Sequence, residues 1–258
     1  MSNSDLVRVE ISAGVASVVL NRPEQRNAIN PDMAAALRAA FDQIEANPEV
    51  RVSILSGAGR VFCAGMDLKS FTKGEADAIL NGPHRFAGFV ARERRKPVIA
   101  AVHGAALAGG FEIMLACDLV VATQEAIFGL PEVTLGLVAG GGGAIRLAQR
   151  IPRVLANELL LTGKTYPAAE MLRWGLINRV VAQDELADAA LELASEIARN
   201  APLSVTEGLA LSDQLFRGQE AALWQANDSA LAALADSLDV REGIAAFFEK
   251  RAPNWSGE

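Results

Sequence analysis

A chain of 258 residues, 51% hydrophobic and 21% charged, carries enough apolar material for one sizeable core and leaves little room for extended disorder. A formal net charge of -7, from 24 Lys and Arg against 31 Asp and Glu, argues against a nucleic-acid partner, which needs a basic footprint. Two cysteines, Cys63 and Cys117, lie in apolar surroundings, the opening MSNSDLVRVE lacks the apolar stretch of a signal peptide, and no apolar run approaches about 18 residues; the expectation is a reduced, cytoplasmic protein with no membrane span.

In chain order, Val7 to Ile11 and Val15 to Leu20 alternate as strands around Ala13-Gly14, a hairpin pattern. Asn30 followed by Pro31 opens a helix in which Met33, Leu37, Phe41 and Ile44 share one face. Asn47-Pro48 ends it, and Val50 to Leu55 reads as the next strand. Val98 to Val102 is apolar throughout, as a strand buried on both faces would be. A short helix from about Gly109 to Cys117 follows, then strands at Leu119 to Ala122 and Ala126 to Phe128. This repeated order predicts an α/β domain. A helix over Pro167 to Trp174, a last strand at Ile177 to Val181 and three Ala- and Leu-rich helices (Glu185–Arg199, Leu203–Phe216, Ala221–Ser237) complete the chain. The division expected is a core over 1–195 and a helical assembly region over 196–258 that buries a face against another subunit.

Two glycine-bearing turns carry the chemical signal. Ala105-Ala106-Leu107-Ala108-Gly109-Gly110-Phe111-Glu112 runs from a buried strand into a helix N-terminus, where backbone N–H groups have no internal partner and glycine admits a ligand closely. Phe62-Cys63-Ala64-Gly65-Met66-Asp67-Leu68 supplies a second such turn, and two donors from different strand ends suit an oxygen that becomes negative during reaction. Glu112 and Glu132 sit beside these turns in apolar sequence, as acid–base chemistry in a dry site requires; read singly, Glu112 is also a helix N-terminal charge and Glu132 a loop carboxylate. Two basic clusters, Arg92, Arg94, Arg95 and Lys96, and Lys250 with Arg251, read either as solvated faces or as phosphate contacts. Met66, Phe71, Phe86 and Phe89 are candidates for lining an apolar pocket.

Lys96–Gly143 resembles the signature region of the crotonase (enoyl-CoA hydratase/isomerase) superfamily. Asn21-Arg22-Pro23 with Asn27-Ala28, the Phe62–Lys69 segment and Ala246-Phe247-Phe248-Glu249-Lys250-Arg251 extend the resemblance over essentially the whole chain. It implies a spiral of ββα units with a C-terminal helical trimerisation region, assembled as a homotrimer or a dimer of trimers. It implies an oxyanion hole from the N–H groups of Met66 and Gly109, and two catalytic glutamates, Glu112 and Glu132, that handle a water and the C2 proton. The coenzyme A channel would take Arg26, Ala28, Ala64, Asp67, Leu68 and Lys69, with Phe247 and Lys250 reaching coenzyme A from this or a neighbouring subunit. The activity implied is enoyl-CoA hydration on a small-molecule acyl-CoA, with no cofactor beyond that thioester. The alternatives are a Δ3,Δ2-enoyl-CoA isomerase, a carnitinyl-CoA dehydratase, a thioester hydrolase and a non-catalytic acyl-CoA-binding protein. Similarity to the carnitinyl-CoA dehydratase branch rests on Gly109–Glu112, Phe128–Glu132, Leu172–Gly175 and the Pro253-Asn254-Trp255 ending. Two departures stand out: Ala108 occupies the first place of a usual Gly-Gly-Gly run, and Ala139 stands where proline is common.

Other motifs fail on their own terms. Gly163-Lys164-Thr165 has Glu158 where a P-loop needs glycine, no register through Gly140–Gly143 gives GxGxxG, and no GxSxG occurs. His84 and His103, the only histidines, are too few for a histidine-based metal cluster.

Overall fold

The computed structural model describes residues 6–235 and 237–257, with the side chains of 215–217 outside that description. Residues 1–5, on which the signal-peptide expectation partly rests, and Asp236 in the last expected helix lie outside it as well. The predicted hairpin forms from β1 (Val7–Ser12) and β2 (Val15–Leu20), paired antiparallel. β3 (Val52–Gly57), β4 (Val98–Val102), β6 (Leu119–Thr123) and β9 (Arg179–Val181) extend this into a six-stranded sheet of order β1-β2-β3-β4-β6-β9, parallel from β2 onward. A second sheet holds β5 (Ala105–Leu107), β7 (Ile127–Gly129) and β8 (Thr165–Pro167), in the order β5-β7-β8. Consecutive strands thus step from one sheet to the other, β4 to β5 and β6 to β7, before a helix or turn returns the chain.

The helices are α1 (Pro31–Ala46), α2 (Leu68–Thr72), α3 (Ala76–Leu80), α4 (Gly109–Ala116), α5 (Gly143–Arg150), α6 (Arg153–Thr162), α7 (Ala168–Arg173), α8 (Leu186–Ala198), α9 (Pro202–Ala235) and α10 (Leu238–Glu249). α1 begins as its sequence requires: Asn30 accepts a hydrogen bond from Met33 N at 2.9 Å, and Pro31 needs no donor of its own. The wholly apolar β4 is buried on both faces. Ala100 and Val102 join the main core beneath α1 and α4, while Ile99 and Ala101 face α8. α8 presents Leu186, Ala190, Ala194 and Ala198, a ridge at every fourth residue that lets the helix lie close to the sheet.

The C-terminal half corrects the expected helix count. The two helices predicted over Leu203–Phe216 and Ala221–Ser237 form one helix, α9, of 34 residues. Gly218, between the two predicted segments, does not break it: a helix absorbs one glycine at about 1 kcal/mol, and nothing lies within 4 Å of the site its Cβ would take. Among the described residues no helix is long and apolar enough to cross a membrane, and no group of three metal-ligating side chains occurs.

Candidate active site

The two glycine-bearing turns meet. Cys63 bridges β5 in parallel, donating from its N–H to Ala105 O at 3.1 Å and accepting from Leu107 N at 3.1 Å. This lays the 62–67 turn along the entrance to α4. Gly65, at φ +94°, fits against the crossing: a Cβ there would stand 2.8 Å from Ala108 Cβ and 2.9 Å from Gly109 N. On the other side, Ile29 N donates to Gly65 O (2.8 Å) and Asp67 N to Ile29 O (2.9 Å), which pins the turn to the 26–29 loop. The N–H groups of Met66 and Gly109 are thereby brought to one crossing, and among the described residues neither donates to a backbone carbonyl. Two donors without a backbone acceptor at one crossing can serve a single oxygen that becomes negative. A Cβ on Gly109 would collide with the buried Phe86 ring, so that ring walls one side of the crossing.

Ala108 enters this turn at φ 50°, ψ -127°, a backbone region that suits glycine. An alanine held there stores roughly 1–3 kcal/mol of strain. Its amide is fixed by Gly129 O at 2.9 Å and its carbonyl by the N–H groups of Phe111 and Glu112 (2.9 and 3.1 Å), which hold the strained geometry in place.

Glu112, 3% exposed on α4, accepts a hydrogen bond from Gly143 N at 2.8 Å. A Cβ on Gly141 would fall onto its Oε2, and one on Gly143 would lie 3.0 Å from Oε1. The glycine-rich strip noted in the sequence is therefore the bed of this carboxylate. Burial raises the Glu112 pKa to about 7, against the opposing N–H groups of Gly143 and Gly141 and the charge of Arg146. Glu132 lies in the Pro131–Leu135 turn that follows β7. The residue is half-buried, but its Oε2 is enclosed and has no hydrogen-bond partner. Burial first, and then the nearby Glu112 charge, push its pKa well above the ordinary glutamate value. A cavity of about 580 Å³ opens beside Glu132, walled by Leu130, Leu137, Val138, Ala139 and Leu160, with Asp239 and Trp255 on its rim. Asp239 accepts from Ser256 N (2.7 Å) and Glu242 from Asn254 N (2.7 Å), so α10 ties the C-terminal tail down and sets Trp255 on this cavity.

Other expected site residues divide into open and engaged groups. Arg26 and Lys69 are exposed, and Ala28, Ala64 and Leu68 are half-buried around the 26–29 and 62–68 crossing. Asp67 is already occupied: it caps α2 through Lys69 N (3.0 Å) and pairs with Arg22 Nη1 at 2.7 Å. Burial opposes its ionisation, but the Arg22 bond and charge outweigh it and hold the pKa below the ordinary carboxylate value. Asn27, between Arg26 and Ala28, is fully buried, its Nδ2 donating to Ala58 O, Val61 O and Phe62 O. Phe247 is 55% exposed on α10 and Lys250 caps that helix at φ 54°. α10 packs on the Pro131–Leu135 turn, where Gly243 meets Leu135 and Gly136 meets Asp239.

Three expectations are corrected. Phe89 stacks on Phe41 at 4.7 Å between ring centroids and belongs to the core, away from the Glu132 cavity. Three of the four cluster residues are engaged internally, Arg92 on Asp42 (2.7 Å), Arg94 on Asp118 (2.6 Å) and Lys96 Nζ on Ile44 O and Asn47 O (2.6 and 2.5 Å), while Arg95 is exposed. Arg251 likewise pairs with Glu242 (2.5 Å) and Glu249 (2.6 Å). Trp255, Asp239 and the glycine strip were not singled out for the site, because nothing local in the sequence says which distant carboxylate or cavity they meet.

Residues 10–258 match the family model described as enoyl-CoA hydratase/isomerase. A carnitinyl-CoA dehydratase of Proteus mirabilis (strain HI4320) is 39% identical over 264 residues, covering 98% of this chain and 99% of its own. The crystal structure of a carnitinyl-CoA hydratase from Mycobacterium avium superposes with a TM-score of 0.93 at 42% identity, over 98% of this chain and 99% of that one. That of an enoyl-CoA hydratase from Mycobacterium tuberculosis H37Rv gives 0.78 at 41% identity, over 98% and 100%.

Proposed function

The chain belongs to the enoyl-CoA hydratase/isomerase family, and on that premise we propose that it adds water reversibly across the C2–C3 double bond of an enoyl-CoA. The observation that carries this reading is the pair of carboxylates, the buried Glu112 and the enclosed Oε2 of Glu132, near enough for the Glu112 charge to raise the Glu132 pKa, beside the crossing of the Met66 and Gly109 turns. The thioester oxygen accepts from Met66 N–H and Gly109 N–H, which stabilise the charge that develops on it as the enolate forms. Glu112, favoured as the charged member by its N–H donors, takes a proton from water as the water oxygen bonds to C3. Glu132, favoured as the neutral member, delivers a proton to C2. The proton gained by Glu112 returns to Glu132 before the next cycle, and dehydration follows the same path reversed. An isomerase needs one proton-shuttling carboxylate; a second, with its own glycine bed, favours hydration.

Coenzyme A would lie along the 26–29 and 62–69 crossing, with Arg26, Ala28, Ala64, Leu68 and Lys69 as contacts and Phe247 and Lys250 approaching from α10 or from another copy. Asp67 supports this channel by holding Arg22. Exposed Leu191, Leu203, Leu211 and Leu223 on α8 and α9 are apolar surface that a homotrimer, or a dimer of trimers, would cover.

A second reading has one specific observation in its favour. The Glu132 cavity has Asp239 and Trp255 on its rim, an acidic residue beside an aromatic one, which suits a positively charged acyl substituent, and a relative carries the name carnitinyl-CoA dehydratase. The test compares crotonyl-CoA with the same enoyl thioester bearing a trimethylammonium group on C4, following loss of enoyl absorbance. Hydration of crotonyl-CoA that depends on Glu112 and Glu132 supports the first reading. Turnover of the cationic thioester alone favours the second. Turnover of neither contradicts both.

A further inference from the structure

One face of α9 lies on the glycine strip that cradles Glu112. Trp224, Asn227, Asp228 and Leu231 recur at three- and four-residue spacing and so share that face. Asn227, 8% exposed, donates from Nδ2 to Gly140 O at 3.0 Å. The strip alternates in what it excludes. A Cβ on Gly140 would meet Leu231 at 2.7 Å, and one on Gly142 would meet Trp224 at 2.9 Å. Those on Gly141 and Gly143 would meet the Glu112 carboxylate. Four successive residues are thus squeezed between a helix on one side and the carboxylate on the other, and neither side leaves room for a side chain.

The same face also reaches the oxyanion turn. Asp228 holds Arg85 in a bidentate pair (2.6 and 3.0 Å), and the Arg85 guanidinium stacks 4.3 Å from the Trp224 ring. Arg85 precedes Phe86, the ring packed on Gly109.

We propose that Asn227 is a positioning residue for the Glu112 carboxylate: by fixing Gly140 O it sets the strip whose Gly143 N–H holds Oε1. The inference rests on Glu112 acting in the reaction proposed above. Asn227 bonds the strip at Gly140 O, and it acts on Glu112 through that backbone. The groups facing Glu112 are Arg146 on α5, whose partner Glu220 comes from α9, and Glu132 from the turn; Arg85 and Asp228 form their own pair beyond Trp224. Loosening the strip removes donors that favour the charged form, so whichever limb of the rate profile Glu112 governs moves to higher pH.

The test measures kcat and KM against pH for wild type, Asn227→Ala, Asn227→Leu and Glu112→Gln, with melting temperatures. Asn227→Leu keeps the side-chain volume without the donor, which preserves a readout should the alanine variant fold poorly. The expected result is a fall in kcat of about tenfold, KM within a factor of about three, and a limb displaced upward. Unchanged kcat, or an equal loss at every pH with the limb unmoved, would overturn the proposal. If Glu112→Gln itself keeps full activity, the functional reading fails first, and the two failures remain distinguishable.

Discussion

Glu112 and Glu132 lie near enough for the charge of one to act on the other, yet their surroundings differ in kind. Glu112 is almost wholly buried, but a backbone N–H reaches it at 2.8 Å and Arg146 lends a positive charge. Glu132 is less buried as a residue, but its Oε2 is enclosed without a donor, beside an apolar cavity and a second carboxylate. The comparison teaches that burial alone does not decide which member of a carboxylate pair holds the proton. Hydrogen-bond donors count as well, and they favour the charged form of Glu112 over that of Glu132, whose Oε2 has none.

The hardest way to break this comparison is to remove either carboxylate. Glu132→Gln and Glu112→Gln should each lower kcat by at least about 10²-fold while acyl-CoA binding, measured by calorimetry, persists. Gly141→Ala attacks the bed while leaving both glutamates in the sequence: its methyl group would collide with Glu112 Oε2. It should cost about 10-fold or more in kcat and about 1–3 kcal/mol in stability, read from urea denaturation.

Stability against pH sharpens the comparison next. The Glu112 pKa is raised from an unfolded value near 4.5 to about 7 in the folded state, so the fold favours its protonated form. Its contribution is fully present below pH 4.5 and is lost as pH rises through 7, about 3 kcal/mol in all. Glu112→Gln should remove this share of the pH dependence and melt above wild type in mildly alkaline buffer. The smallest effect belongs to the turn that holds Ala108. Ala108→Gly relieves the positive-φ strain and should stabilise by about 1 kcal/mol with kcat little changed, seen as a raised melting temperature.

Much of this was legible in the sequence where a local pattern decides the outcome. The hairpin, the Asn30-capped helix, the doubly buried Val98–Val102 strand and the Gly109 helix start all follow from periodicity and capping. What stayed hidden depends on long-range meetings. The short β5 strand gave no strand signal because its three residues pair only through Cys63 and β7. Gly140 to Gly143 read as glycine-rich without a reason, since the reasons are Glu112 on one side and Trp224 and Leu231 of α9 on the other. Phe89 packs into the core rather than a pocket because Phe41, distant in sequence, meets its ring there.

The proton's location is the most direct test. An infrared difference spectrum between wild type and Glu132→Gln at neutral pH reads carboxyl and carboxylate bands separately. A protonated-carboxyl band present in wild type and absent from Glu132→Gln is the result predicted here, with the Glu112 band in its carboxylate form. A wild-type spectrum in which Glu132 contributes only carboxylate would contradict the account.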